Sequence, residues 1–124
     1  MTIAFCFSGR QPLILEQTFE VLRAWGFVYK SGLVWDKGAV GTGYWIRGQH
    51  EHLLICTRGN PPLPPLESVP ASVIREGRRE HSRKPEASYL IIEKMYPSLP
   101  KIELFARNAR PGWAAWGNQV GTAA

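Results

Sequence analysis

Long apolar runs, a set of paired cysteines and an excess of acidic residues are all missing from this 124-residue sequence. Its apolar segments, such as residues 3–7 and 53–56, are far shorter than the roughly 20 residues needed to cross a bilayer. No basic flank typical of a signal peptide is seen. Cys6 and Cys56 lie inside these segments, where buried free thiols are expected rather than a disulfide. We therefore expect a cytosolic globular protein with no membrane association.

Motifs of metal-dependent and nucleophilic catalysis are missing as well. His50 and His52 alternate on one predicted strand, but no Cys-x-x-Cys or His-x-x-x-His spacing accompanies them, so we expect no metal site. The sequence has no Gly-x-Ser-x-Gly nucleophile elbow, no Gly-Lys-Thr phosphate loop and no carboxylate pair with catalytic spacing. These absences exclude several common classes of hydrolase and nucleotide-binding enzyme.

Positive charge is in excess, because 15 Lys and Arg residues face 10 Asp and Glu residues, giving a net charge of +5. Five of the basic residues fall in the segment REGRREHSRK, residues 75–84. Cations that neutralise phosphates gain free energy from counterion release, so this balance favours a polyanionic partner. A solvated basic turn, with Glu76 and Glu80 as local partners, is the alternative interpretation.

Hydrophobic periodicity alternates between strand and helix along the chain. Helices are predicted after Pro12 and after Pro85, each of which suits the start of a helix, and Gly26 suits a helix C-cap. Strands are predicted at residues 2–8, 27–36, 50–58, 72–75 and 101–107. This order is typical of an α/β fold with a mostly parallel sheet.

A single domain is predicted over residues 1–124, with a proline-rich loop at 61–70 inside it. Five of the ten prolines lie in that loop, which excludes a helix there and favours an extended connection. Because the chain starts with a predicted core strand, we expect an open hydrophobic sheet edge at residues 2–8.

Four stretches in order resemble one protein family. They are GTGYWIRGQHEHLL (41–54), RGNPP (58–62), EHSRKPEASYLIIEKMYP (80–97) and KIELFARNARPGWAAWGNQV (101–120). The chain resembles the adenine-N6 methyltransferases related to the seventy-kilodalton subunit of the mRNA-methylating complex, including their bacterial and phage members. The resemblance implies a Rossmann-like fold that uses S-adenosylmethionine, with a permuted motif order.

The catalytic tetrapeptide of that family, Asp-Pro-Pro-Trp, is missing from the sequence. In the family its acid and a proline carbonyl orient the adenine amine while the aromatic ring stacks on the base. The nearest match, Asn60-Pro61-Pro62-Leu63, lacks a stacking ring and is interpreted as an ordinary turn. The resemblance places the tetrapeptide upstream of residue 2, so the fold is expected to be incomplete, the C-terminal portion of a methyltransferase domain.

Cofactor contacts follow from the resemblance residue by residue. The strand that ends near Phe105 is expected to point at S-adenosylmethionine, with Phe105 and Arg107 as contacts. Asn118 and Gln119 match the amide pair that binds the ribose and adenine of the cofactor. Lys84 matches a lysine near the methionyl carboxylate. The alternatives are a core strand, a surface turn and a solvated lysine, respectively.

Nucleic-acid contacts are expected in the loop before the second helix, which in the family borders the pocket for the target base. The candidates are Arg78, Arg79, His81 and Arg83, whose charges could meet phosphates. No residue of this loop is assigned a catalytic role.

A glycine-rich loop at 38–48 offers Tyr44 and Trp45 beside Arg47. These rings could stack on bases, contact a partner subunit as a similar loop does in heterodimeric family members, or pack in the core. Trp113 and Trp116 are expected to be core anchors.

Two functions are compatible with these sequence features. The first is transfer of a methyl group from S-adenosylmethionine to the N6 amine of adenine in DNA or RNA, with DNA preferred over RNA. A separate chain or segment would supply the tetrapeptide. The second is a non-catalytic subunit that presents the basic loop and the Tyr44-Trp45 loop to nucleic acid or to an active partner.

Overall fold

The protein is described here by a computed structural model that covers residues 1–8, 15–41, 43, 45–76, 84–104 and 110–116. In chain order, the elements are β1 (Thr2–Ser8), α1 (Leu15–Ala24), β2 (Val28–Asp36), β3 (His50–Arg58), β4 (Val73–Arg75), α2 (Glu86–Met95), β5 (Lys101–Leu104) and β6 (Trp113–Trp116). A single 3-10 turn, Leu66–Ser68, interrupts the proline-rich loop.

The six strands form one sheet in the order β4-β2-β3-β1-β5-β6. All of them run parallel except β3, which is antiparallel to both of its neighbours. The predicted α/β class with a mostly parallel sheet is therefore confirmed. The parallel strands end at one side of the sheet, which we name the carboxyl edge, and β3 begins there.

Of the described helices, α2 covers one face of the sheet and α1 covers the other. On the first face, buried residues such as Phe5, Trp35 and Ile55 pack against Ile92 of α2. On the other face, Ala4, Cys6, Leu54 and Cys56 form a second cluster with Leu22 of α1. Alternate residues of a strand point to opposite faces, so β1 and β3 contribute to both clusters. The outcome is a three-layer arrangement with buried central strands.

Helix α1 ends as the sequence predicts. Gly26 has a φ of +81°, a conformation that glycine adopts without the steric cost of a Cβ atom. The Gly26 amide donates to the carbonyl of Arg23 and the Phe27 amide to the carbonyl of Leu22. Phe27 and Leu22 also pack together in the core. These contacts form a Schellman motif that turns the chain directly into β2.

Several details differ from the sequence-based expectations. The predicted open edge at residues 2–8 was wrong, because β1 pairs with β3 on one side and β5 on the other. The edge strands are β4 and β6, and β6 was not predicted as a strand because Trp-Ala-Ala-Trp lacks the usual alternation. The predicted ends at 12–14 and 105–107 lie outside the described residues.

Candidate functional site

Charged side chains gather at the carboxyl edge. Lys37 follows β2 directly, Glu51 is near the start of β3 and Glu76 follows β4. Lys84 stands just before α2. The pairing of β2 with β3 places Glu51 opposite Trp35. The sheet topology therefore brings together residues that are far apart in sequence, at the edge where parallel α/β sheets usually bind ligands.

Glu51 is the centre of a buried ionic cluster. Its Oε1 atom lies 3.1 Å from Nζ of Lys84, and its Oε2 atom lies 3.0 Å from Nζ of Lys37. The Glu51 side chain is 2% exposed and the two lysine side chains 9% and 10%. Burying charges costs free energy that the ion pairs only partly offset, so removing one member of the cluster would leave a buried charge without its partner. Two ammonium groups against one carboxylate leave a formal positive charge.

Trp35 forms the floor beneath both lysines. The Nζ atoms of Lys37 and Lys84 lie 5.7 Å and 6.0 Å from the centre of its ring, within range of a cation–π attraction. Its own ring N–H donates to the carbonyl of Glu76 at 2.7 Å. The buried Trp35 ring therefore contacts both ammonium groups and also connects them to the end of β4 through its hydrogen bond to Glu76.

The end of β4 is also tied to the start of α2. A carboxylate oxygen of Glu76 accepts a hydrogen bond of 3.2 Å from the backbone N–H of Glu86. That N–H belongs to the first turn of a helix, where amides lack intrahelical partners and favour an anion. Glu76 and Lys84, the described residues on either side of residues 77–83, are therefore both anchored at the carboxyl edge.

A second buried acid, Glu103, lies on β5 beneath α2 and is 4% exposed. The hydroxyl of Tyr89 donates to its Oε1 atom at 2.8 Å. Burial raises the pKa of Glu103 to about 7, while Tyr89, Lys84 and Arg110 act in the opposite direction. Burial, with Glu103 nearby, also raises the pKa of Tyr89 above its usual range. Burial thus outweighs the neighbouring donors and cations at this carboxyl group.

Arg110 joins α2 to the beginning of β6. Its guanidinium lies 2.6 Å from a carboxylate oxygen of Glu86 and 2.9 Å from one of Glu93, and its carbon is 4.6 Å from the ring centre of Tyr89. The same Glu93 carboxylate accepts a hydrogen bond of 2.8 Å from Trp113. Hydrogen bonding to Arg110 is the main cause that lowers the pKa of Glu93.

The glycine-rich loop projects Trp45 into solvent. The loop is closed by a hydrogen bond of 2.7 Å from the Gly41 amide to the Gly48 carbonyl, and Arg47 donates to the Gly41 carbonyl at 3.2 Å. Trp45 is 97% exposed. Of the three roles left open by the sequence, core packing is therefore excluded for Trp45. Tyr44 lies outside the described residues.

The segment Asn60-Pro61-Pro62-Leu63, the nearest match to the catalytic tetrapeptide, lies away from the carboxyl edge. It follows the end of β3 at Arg58, and the antiparallel β3 ends at the opposite edge. Leu63 is exposed, and the carbonyl of Pro62 accepts a hydrogen bond from Tyr96 at the end of α2. This position matches an ordinary turn.

The structure describes two of the residues predicted for the site. Lys84 lies in the cluster around Glu51, and Trp45 lies on an exposed loop. The remaining predicted residues lie outside the described part of the chain: Tyr44, Arg78, Arg79, His81, Arg83, Phe105, Arg107, Asn118 and Gln119. Trp113 packs against the core as expected.

Sequence reasoning missed the acids that organise the site. Glu51 has the same parity on β3 as buried Leu53 and Ile55, and Glu103 pairs with buried Phe5. A carboxylate on the buried face of a predicted strand indicates a site that sequence analysis could have found, because a buried charge requires a partner. The partners themselves, Lys84 and Tyr89 among them, come from distant positions that periodicity does not connect.

No group of three or more His, Cys, Asp and Glu residues suited to holding a metal ion is found among the described residues. None of the described helices has the length and apolar character required to cross a membrane.

Comparisons with known proteins agree with this architecture. The family model MT-A70 matches residues 2–119. The chain is 40% identical over 98 residues to the type II methyltransferase M.MunI of Mycoplasma sp, a match that covers 78% of this chain and 42% of that protein. It is 35% identical over 116 residues to an N(6)-adenosine-methyltransferase MT-A70-like protein of Arabidopsis thaliana, covering 86% of this chain and 17% of the relative.

Human N(6)-adenosine-methyltransferase catalytic subunit METTL3 is 33% identical over 116 residues, covering 86% of this chain and 20% of that protein. The chain thus spans less than half the length of these relatives. The resemblance stated from the sequence motifs is confirmed. Because the family match extends through nearly the whole described structure, the chain belongs to the MT-A70 family.

Proposed function

We propose that this chain is the cofactor-binding portion of a cytosolic methyltransferase that transfers a methyl group from S-adenosylmethionine to the exocyclic N6 amine of adenine in DNA, in preference to RNA. The observation that carries the proposal is the buried cluster of Lys37, Glu51 and Lys84 at the carboxyl edge. The cluster lies at the edge where parallel α/β sheets bind their ligands, and it has one more ammonium group than carboxylate.

The cluster suits the anionic end of the cofactor. Lys84 is held by Glu51 and backed by Trp35, so its ammonium is oriented before any ligand binds. An ammonium oriented in advance binds a carboxylate with a smaller loss of side-chain entropy. We assign Lys84 to the methionyl carboxylate. S-adenosylmethionine, when bound, supplies a methyl group on a positively charged sulfonium.

The other proposed cofactor contacts follow two neighbouring strands. Leu104 of β5 pairs with Trp116 of β6 at the carboxyl edge. Phe105 and Arg107 follow Leu104 in the sequence, and Asn118 and Gln119 follow Trp116. The adjacent strand ends support the assignment of all four residues to one ligand, since ligands of parallel sheets bind beyond the carboxyl ends.

The basic segment is proposed to face nucleic acid. Glu76 and Lys84 within this segment are anchored at the carboxyl edge. Arg78, Arg79, His81 and Arg83 lie between them in the sequence, in a stretch that starts and ends beside the proposed cofactor site. Phosphate contacts there would position the target strand without reading its sequence.

The amine-orienting groups of the reaction are proposed to come from another segment of a longer protein or from a separate chain. No Asp-Pro-Pro-Trp is present in residues 1–124, and electrostatic orientation of the reacting amine is a large part of the catalytic effect. We therefore expect this chain alone to bind the cofactor without transferring the methyl group.

Photolabelling tests the proposed cofactor site directly. Ultraviolet irradiation of the chain with S-adenosylmethionine carrying a tritiated methyl group should label peptides that contain residues 84–89, 102–107 or 111–119. Excess S-adenosylhomocysteine should abolish the label and excess ATP should not. Label confined to peptides of α1 or of the proline-rich loop would overturn the assignment.

Nucleic-acid binding is tested by salt titration. Reversing the charges of Arg78 and Arg79 to Glu should weaken binding to duplex DNA and reduce the salt slope by about one for each phosphate contact removed. The double variant Arg23→Glu and Lys30→Glu makes the same charge change on exposed residues of α1 and β2 and should change both quantities less. Equal effects of the two double variants would show attraction by net charge alone. Parallel titrations with RNA of the same sequence decide the preferred nucleic acid.

A further inference from the structure

Arg110 is the residue at which α2 and the beginning of β6 meet. Its guanidinium binds Glu86, in the first turn of α2, and forms a two-point contact with Glu93, with distances of 2.9 Å and 3.1 Å. Glu86, Tyr89 and Glu93 lie on one face of the helix, and Arg110 also packs over the Tyr89 ring. A planar guanidinium with several donors can hold two carboxylates at once, which an ammonium does less well.

The turn that contains Arg110 is held in place by hydrogen bonds and by ring contacts of Trp113. The Trp113 amide donates to the Arg110 carbonyl at 3.1 Å, and the Trp113 ring N–H donates to Glu93. The Trp113 ring makes edge contacts with Phe5 and Tyr89, at centroid distances of 4.8 Å and 5.6 Å. Arg110 and Trp113, which belong to one turn, therefore both bind the carboxylate of Glu93 on α2.

The helix that Arg110 contacts, α2, also follows directly after Lys84, the residue proposed to bind the cofactor. Glu86, one of its two partners, is two residues after Lys84, and its backbone N–H is bonded to Glu76. The Tyr89 hydroxyl connects the same helical face to Glu103 of β5. A movement of α2 along the sheet would therefore change the distance between Lys84 and the ends of β5 and β6.

We propose that Arg110 is a positioning residue, whose shared contacts with Glu86 and Glu93 fix Lys84 relative to the carboxyl ends of β5 and β6. The inference rests on the proposed cofactor function and deepens it. Arg110 is not assigned any contact with the cofactor. Its effect on binding passes through α2.

The test compares Arg110→Met with Arg58→Met in the full 124-residue chain. Arg58 is a matched control, because its guanidinium also lies over an aromatic ring, Phe27 at 4.2 Å, and donates to the Trp25 carbonyl at 2.6 Å. It lies at the opposite end of β3, away from the carboxyl edge. Both variants should lower the melting temperature, and only Arg110→Met should weaken S-adenosylmethionine binding, by about tenfold.

Two additional measurements separate positioning from general destabilisation. Arg110→Lys keeps the charge but loses the two-point contact, so its affinity should lie between those of the wild type and Arg110→Met. Hydrogen exchange without cofactor should accelerate at residues 84–89 and 110–116 in Arg110→Met. In Arg58→Met it should accelerate near residues 24–28 instead.

The outcomes distinguish the two proposals. A wild-type chain that folds but does not bind S-adenosylmethionine overturns the proposed function, and this inference with it. Wild-type binding with an unchanged affinity in Arg110→Met overturns the positioning role alone. An equal loss of affinity in Arg58→Met also overturns it, because the effect would then follow stability.

Discussion

Tyr89 of α2 and Glu103 of β5 are joined by a hydrogen bond of 2.8 Å across the interface between helix and sheet. Glu103 lies near the carboxyl end of β5, one residue before Leu104. The carboxyl group is buried between α2 and the sheet, and burial disfavours its charged form. Its protonation therefore couples the packing of α2 to the pH.

Stability should fall as the pH rises from about 4.5 to about 7. Burial raises the pKa of Glu103 from its ordinary value of 4.5 to about 7 in the folded chain, so the folded state keeps a proton that the unfolded state has lost. The free energy of unfolding should decrease by roughly 3 kcal/mol across this window and then level off. Urea unfolding between pH 4 and 8 measures the slope.

Glu103→Gln is the control for that slope, because it imitates the protonated acid and still accepts the Tyr89 hydrogen bond. The variant should match the wild type near pH 4 and be more stable at pH 8. Equal slopes in the two proteins would show that another group causes the pH dependence.

Replacing Glu51 by Gln should destabilise the chain by about 3 kcal/mol, because two buried ammonium groups lose their shared carboxylate. The change keeps the shape of the side chain, so no cavity is created. Denaturant unfolding of Glu51→Gln and of Glu67→Gln, an exposed acid on the 3-10 turn, provides the comparison. A loss below about 0.5 kcal/mol at Glu51, the range of ordinary surface changes, would contradict the cluster.

The sequence could predict most elements of the fold because they depend on local signals. Pro85 and Gly26 mark helix ends, and the apolar run around Ile55 marks a buried strand. Strand pairing depends on distant residues, so the central position of β1 was predicted wrongly. The ionic cluster was missed for the same reason, since Lys84 and Glu51 are separated by 33 positions.

Thr57 and Ser88 should respond in opposite directions when their hydroxyl groups are removed. The Thr57 hydroxyl is buried without a hydrogen-bond partner in the described part of the chain, whereas Ser88 donates to the Pro85 carbonyl at 2.6 Å. Thr57→Val should raise the free energy of unfolding by about 1 kcal/mol and Ser88→Ala should lower it by a similar amount. Chemical denaturation measures both. A loss of stability in Thr57→Val would show that the hydroxyl has a partner.

Trp45→Ala should leave the melting temperature unchanged, because the side chain is 97% exposed. If the ring stacks on a base, the variant should bind single-stranded DNA roughly tenfold more weakly, since one stacking contact contributes about 1–3 kcal/mol. Fluorescence anisotropy measures the affinity, with Leu66→Ala as an exposed apolar control. Unchanged affinity would assign Trp45 to a protein partner and contradict base stacking.

Isothermal titration of the 124-residue chain with S-adenosylmethionine tests the central claim most directly, with Lys84→Met as the variant that removes the ammonium and keeps an apolar stem. A retained cofactor site predicts saturable binding by the wild type and a loss of at least about tenfold in Lys84→Met, the weight of one charge-assisted contact. Circular dichroism should show both proteins folded. A folded wild-type chain that gives no binding heat and no change in melting temperature with the cofactor would contradict the account.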